Sequence, residues 1–321
     1  QDRFMTYLRL PRPASYVNPL YLRKPENRSA AANLGENFRS MTSLPPIGND
    51  EAIVRAYLQH FFVEATDYKV YEPYIRDVYL KHLLAETKIV NGLGDPQQWY
   101  SLLPPERYQQ LKQRVDLEFA PTNPRRFATD ETVALDVDVK NVSTLMVKVY
   151  RIHAANFYKD HGREVSTAIN LDGLVANEEL TFQYGDPPLR RIRRRFDFPS
   201  LTQPGLYIID LIGNGKNSRA LIQKGRLHYL VRTTPAGHAF TILNDQNHRL
   251  DDASLWMGGK TYTTQANGQI LIPYSTQPGR KPIVLMHGPL VSLDTFHHAS
   301  ETYTMSAGLY IDRESLLSGR V

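Results

Sequence analysis

Val133-Ala134-Leu135-Asp136-Val137-Asp138-Val139-Lys140 carries an apolar residue at every second position, with mostly charged residues between them. That two-residue period belongs to a β-strand with one dry face and one wet face. The same grammar spreads outward in both directions. Upstream, Val115, Leu117 and Phe119 alternate with Asp116 and Glu118, and downstream, after a break at Asn141 to Ser143, Leu145, Val147 and Val149 alternate with Met146, Lys148 and Tyr150. Farther on, Ile192, Phe196 and Phe198 share one face of an arginine-rich strand, and Pro204-Gly205 turns the chain into Leu206 to Ile209. This last run is apolar on both faces, which places it in the middle of a sheet. Asn214-Gly215 suits a two-residue hairpin turn with positive φ at both centres. It leads into Arg219 to Gln223, and Lys224-Gly225 turns the chain again into Arg226 to Val231. About seven strands over residues 115–234 match the spacing of an antiparallel sandwich with its own core.

A second punctuation begins at Gly237. Phe240 to Leu243 reads as a strand, Asp245 to Asn247 as a turn and Asp251 to Trp256 as the returning strand, reversed at Gly258-Gly259. Tyr262 and Thr264 precede a reversal at Asn267-Gly268, Gln269 to Tyr274 runs back, and Lys281 to Met286 adds one more strand. The order is that of a small Greek-key or prealbumin-like β module over residues 235–303.

The amino-terminal third differs. Residues 1–49 carry Pro11, Pro13, Pro19, Pro25, Pro45 and Pro46 without a sustained period, and are expected to form an extended arm. Within the arm, Phe4, Leu8 and Leu10 alternate with Met5, Tyr7 and Arg9 and read as a strand lacking a neighbour in sequence. Residues 50–114 read as a small helical domain. Asp50 is placed to cap a helix bearing Ile53, Val54, Tyr57, Leu58, Phe61 and Phe62, and a second helix runs from about Glu72 to the stop at Asn91-Gly92. Asp95-Pro96 and Pro104-Pro105 open two shorter ones.

Several segments resemble a known family. Pro204 to Asp210, Arg219 to Ile222 and Asp312 to Arg320 are similar to strands from the macroglobulin-type domains of large bacterial proteins related to alpha-2-macroglobulin. Leu250 to Leu255 and Thr264 to Ile270 resemble the prealbumin-like modules of secreted multidomain chains. The expected fold is therefore mainly β: an immunoglobulin-like, macroglobulin-type antiparallel sandwich followed by a small prealbumin-like module, with a short N-terminal α-helical domain. The resemblance implies an extracellular, periplasmic or cell-surface location. It implies no covalent trapping activity, because the Cys-Gly-Glu-Gln thioester of that family is missing from a chain without cysteine.

The 321 residues suffice for two or three domains, and 21 prolines with 19 tyrosines suit a β-rich, loop-rich chain. No run approaches the roughly 20 apolar residues of a membrane span. The first residue is Gln1, with neither an initiator Met nor an apolar signal segment, which reads as a processed or excised piece. Arg190, Arg191, Arg193, Arg194 and Arg195 form the densest charge. On a strand, Arg191, Arg193 and Arg195 fall opposite Ile192 and Phe196, so they are expected as a solvated row on an edge strand that discourages unwanted pairing, and otherwise as a contact for an anion or a partner. A net charge of +5 without an aromatic-basic signature gives no case for nucleic acid. His287, His297 and His298, with Asp294 and Glu301, are the residues that would have to hold a metal, but adjacent strand residues point to opposite faces. His60 and Glu64 lack the surrounding motif, Gly213 to Ser218 lacks phosphate-loop spacing, and no Gly-x-Ser-x-Gly elbow exists. Asp136 and Asp138 are explained by alternation. Asn27-Arg28-Ser29 and Asn141-Val142-Ser143 fit the glycosylation pattern.

At the other end, residues 304–321 read as a leftover strand, with Leu309 and Ile311 as its apolar positions. Together with Phe4, Leu8 and Leu10 it makes two unpaired strands, which need partners. Those are expected to be other polypeptides: the rest of a longer parent chain, or identical subunits. The sequence thus reads as a scaffold or protein-binding segment with no catalytic, cofactor or metal residues. The alternatives are a structural subunit of a surface layer or extracellular filament assembled by strand exchange, and a glycan-binding module.

Overall fold

A computed structural model of the chain describes residues 1–36, 46–302 and 304–310. Its amino-terminal part is helical: α1 (Asp2–Leu8), α2 (Pro19–Arg23), α3 (Pro25–Ser29), α4 (Glu51–Phe62), α5 (Asp77–Asn91), α6 (Pro96–Ser101) and α7 (Pro105–Gln113). The strand expected at Phe4 to Leu10 is instead α1. Phe4 and Leu8 stand four apart, a spacing that serves a helix as well as a strand, and packing decides. Phe4 stacks 5.2 Å from the Tyr57 ring and meets Phe61 at 5.6 Å. Nor is the described part of residues 1–49 an extended arm. Tyr16 and Val17 join the same core, and the backbone crosses to the segment before α5, with Arg76 N–H donating to the Tyr16 carbonyl at 2.9 Å. That crossing delays α5, which starts at Asp77 after Pro73 and stops at Gly92 in the left-handed region, φ 62°.

The first sandwich contains β1 (Asp116–Phe119), β2 (Arg126–Phe127), β3 (Val133–Lys140), β4 (Thr144–Ile152), β5 (Glu178–Gln183), β6 (Arg191–Phe198), β7 (Gly205–Gly213) and β8 (Lys216–Lys224). One sheet has the order β1-β3-β6 and the other β2-β8-β7-β4-β5. Inward residues of both close one core, among them Val133, Leu135, Val137, Leu145, Val147 and Ile209. The predicted hairpin at Asn214-Gly215 forms, with φ of 45° and 76°. Helix α8 (Ala154–His161), which follows β4, lies on the outer face of the five-stranded sheet.

The second module is built from β9 (His228–Thr234), β10 (Gly237–Leu243), β11 (Ser254–Met257), β12 (Lys260–Thr263), β13 (Ile270–Ile272), β14 (Gly279–His287) and β15 (Leu290–His298), in sheets β13-β10-β9 and β12-β11-β14-β15. Here β9 departs from expectation: placed by sequence in the first sandwich, it pairs with β10 along its whole length. Residues 304–310 form no regular element, with Leu309 87% exposed, and Ile311 lies outside the described residues.

The three units are fastened together. Between the two β modules, Tyr150, Leu206 and Ile208 from the outer face of the five-stranded sheet pack with Tyr158 of α8 against Val284, with Trp256 and Leu293 beside it. This explains why β7 is apolar on both faces. Asp245 also ties the two modules, accepting from the Thr129 N–H at 2.8 Å and Oγ1 at 2.9 Å.

Lys140, 1% exposed, fastens the helical unit to the sandwich. Its Nζ donates to the Leu111 and Arg114 carbonyls at 2.6 Å each, two acceptors left free by the end of α7. Burial pushes this ammonium down to about 8. A native value below the unfolded one makes stability rise with pH between about 8 and the ordinary 10.5, because only the unfolded chain still binds the proton there. Denaturant midpoints taken at about pH 7 and about pH 9.5 should therefore show the wild type gaining on a Lys140→Met variant as pH rises.

Candidate interaction surfaces

The arginine row lies on β6, an edge strand of the three-stranded sheet. Register sets Asp138 of β3 opposite Arg193 and its neighbours. Asp138 accepts from Arg193 Nε and an Arg193 terminal nitrogen at 2.9 Å each, and from Arg191 at 2.8 Å. Burial alone would raise this carboxyl, but hydrogen bonds and positive charge from Arg193 and Arg191 outweigh it and hold the group below the usual carboxylate range. Arg195 reaches Asp197 at 3.3 Å, and Arg194, on the opposite face, pairs with Asp186 and covers the Tyr184 ring at 3.9 Å. Arg191 and Arg193 thus share the Asp138 carboxylate, and Arg191 also reaches Glu118 at 3.6 Å. Arg195 is two-thirds exposed.

The other predicted contacts do not come together. Phe4 and Leu8 are buried in the helical core, Leu10 is 39% exposed and Leu309 stands far out in an irregular segment. His287 pairs with Asp252 at 2.9 Å, His297 faces solvent, and buried His298 donates Nε2–H to the Pro273 carbonyl at 2.7 Å. Among the described residues no cluster of metal-ligating side chains forms. The amide of Asn141 is committed to the Gln113 carbonyl at 3.0 Å.

Asp50 is a further departure. It precedes α4 but makes no side-chain cap bond. Its Oδ2 instead accepts from Arg12 Nε, Tyr7 Oη and Tyr16 Oη, each at 2.7 Å, and Arg12 and Asp50 are both 1% exposed. Burial works to raise the Asp50 carboxyl, yet the two phenols and the guanidinium hold it low; burial and the same carboxylate push Tyr7 up to about 12. This is a buried structural knot. Outside it, α4 presents Ile53 and Tyr57, each about half exposed, and a separate groove of about 510 Å³ is lined by Phe61, Tyr71, Glu64 and Asp67.

One family model, described as the actin-binding protein F N-terminal domain, matches residues 1–115, and another, the first immunoglobulin-like domain of the same protein, matches residues 145–225. Actin-binding protein F of Dictyostelium discoideum is 35% identical over 320 residues, covering 97% of this chain. The chain spans 13% of that relative's length. Among solved structures, Escherichia coli alpha-2-macroglobulin spanning domains MG0-NIE-MG1 is similar at 12% identity and a TM-score of 0.38, over 56% of this chain and 63% of that one. A titin Z1Z2 tandem is similar at 12% identity and a TM-score of 0.28, over 58% and 100%. The sequence likeness thus runs through both the helical unit and the first sandwich to an actin-binding protein.

Proposed function

We propose that this chain is a non-catalytic, protein-binding segment of an actin-binding protein F type polypeptide, and that its partner is the actin filament. The observation that carries this reading is the 35% identity sustained over 320 residues, through helical unit and β modules alike. Supporting a scaffold rather than an enzyme, the buried charges are spent on structure: Arg12 with Asp50, Asp138 with two arginines, and Lys140 with helix-end carbonyls. Three units fastened to one another would hold a filament contact in a fixed orientation. The secreted location rests on the macroglobulin resemblance, and the glycan-binding alternative on the arginine row, of which Arg191 and Arg193 are already engaged by Asp138.

Co-sedimentation tests this directly. The purified chain should pellet with polymerised actin in a saturable manner. No enrichment over an actin-free control at high filament concentration would overturn the proposal.

A further inference from the structure

Sheet edges are sites where another chain can add a strand, and proteins commonly guard them with charge or keep them short. Most edges here are guarded. β6 carries its arginines, β5 opens on Glu178 and Glu179, and β1 has Asp116 and Glu118; β2, β12 and β13 run for no more than four residues. β15 bears Asp294, and its Thr295 carbonyl is taken by the Tyr229 hydroxyl at 3.2 Å.

β9 differs. Among the described residues, its seven, His228-Tyr229-Leu230-Val231-Arg232-Thr233-Thr234, pair with β10 on one side only. Leu230 is 63% exposed and Val231 42%. Its lone arginine is turned aside, Arg232 donating to Gln269 Oε1 at 3.0 Å. The two-residue turn at Pro235-Ala236 makes Thr234 and Gly237 the closing pair. Alternation from there aims the N–H and C=O of Tyr229, Val231 and Thr233 away from β10.

We infer that this edge binds the same edge of a second copy, antiparallel about a two-fold axis through Val231. In that register Val231 faces Val231 of the other copy, Tyr229 faces Thr233, and Leu230 faces Arg232. The outward groups then exchange about six hydrogen bonds. The edge is self-complementary because its one cation meets an apolar side chain, along which the arginine stem can lie, and never another cation. So short a contact makes a weak, concentration-dependent dimer. The inference goes beyond the actin reading and does not depend on it.

Sedimentation velocity of the full chain, without actin, should show a monomer–dimer equilibrium between low and high micromolar concentration. Leu230→Lys sets a lysine against Arg232 of the other copy and should weaken dimerisation at least about tenfold, the equivalent of 1.4 kcal/mol, with an unchanged melting curve because the side chain is exposed. The double variant L230K/R232E turns that repulsion into two ion pairs and should restore the dimer. A wild type that stays monomeric throughout, a dimer indifferent to L230K, or a double variant no better than L230K would each overturn the inference.

Discussion

Asp50→Ala is expected to lower the unfolding free energy by about 3–5 kcal/mol, the range for removing one partner of a buried ion pair. The guanidinium of Arg12, 1% exposed, would lose the carboxylate it pairs with, and the Tyr7 and Tyr16 hydroxyls would lose their shared acceptor. Arg12→Met combined with Asp50→Leu should cost less than either single change, because no buried charge is left alone. Chemical denaturation of the two single variants and the double variant gives the comparison. Equal or larger loss in the double variant would mean that the tyrosine network, not the charge pair, holds the site. Acid should act in the same direction. A native carboxyl held below its ordinary 3.8 contributes fully above that value, and the contribution is lost as pH falls through the native one. Loss of this knot would release α1 and the start of α4 together, since Arg12 also donates to the Tyr7 and Leu10 carbonyls.

The knot was not legible in the sequence, and the reason is distance. Arg12 and Asp50 are 38 positions apart, and nothing local marks either as a partner of the other. Strands were readable where alternation and turn dipeptides are local: Val133 to Lys140, or Asn214-Gly215 between β7 and β8. The arginine row was readable as a wet face, but its ion pairing was not, because Asp138 meets Arg193 only once the register of β3 and β6 is fixed. β15 escaped notice because Asp294, His297 and His298 break up the signal of Leu290, Leu293 and Phe296. For α1 the sequence was ambiguous in principle, since Phe4 and Leu8 satisfy both periods and only Tyr57 and Phe61, far along the chain, choose between them. Of the two strands expected to lack partners, Phe4 to Leu10 is mostly the helix α1 and residues 311–321 lie outside the described residues; the exposure of Leu230 and Val231 becomes visible only when β9 is known to pair with β10.

Val284→Asp is expected to release the second β module from the first. Along β14, Ile283 and Leu285 point into the module's own core, whereas Val284, 0% exposed, points out of it into the layer shared with Tyr150, Ile208 and Tyr158. A carboxylate there is buried without a partner while the modules stay docked and meets water once they part. The docked arrangement should lose the roughly 1.5–3 kcal/mol of burying a valine-sized side chain, and desolvation of the charge adds several kcal/mol more. The module itself keeps its core, so separation should precede unfolding and the single unfolding transition should split in two. Since the chain has no cysteine, spin labels can be placed uniquely at Thr181→Cys and Thr261→Cys, both exposed. The wild type should give one narrow distance distribution and V284D a broad one; a narrow distribution in V284D would show that the polar contacts of Asp245 with Thr129 suffice to hold the modules. If the actin reading holds, V284D also separates two roles, because a filament contact confined to the helical unit survives it, whereas one that spans the β modules does not.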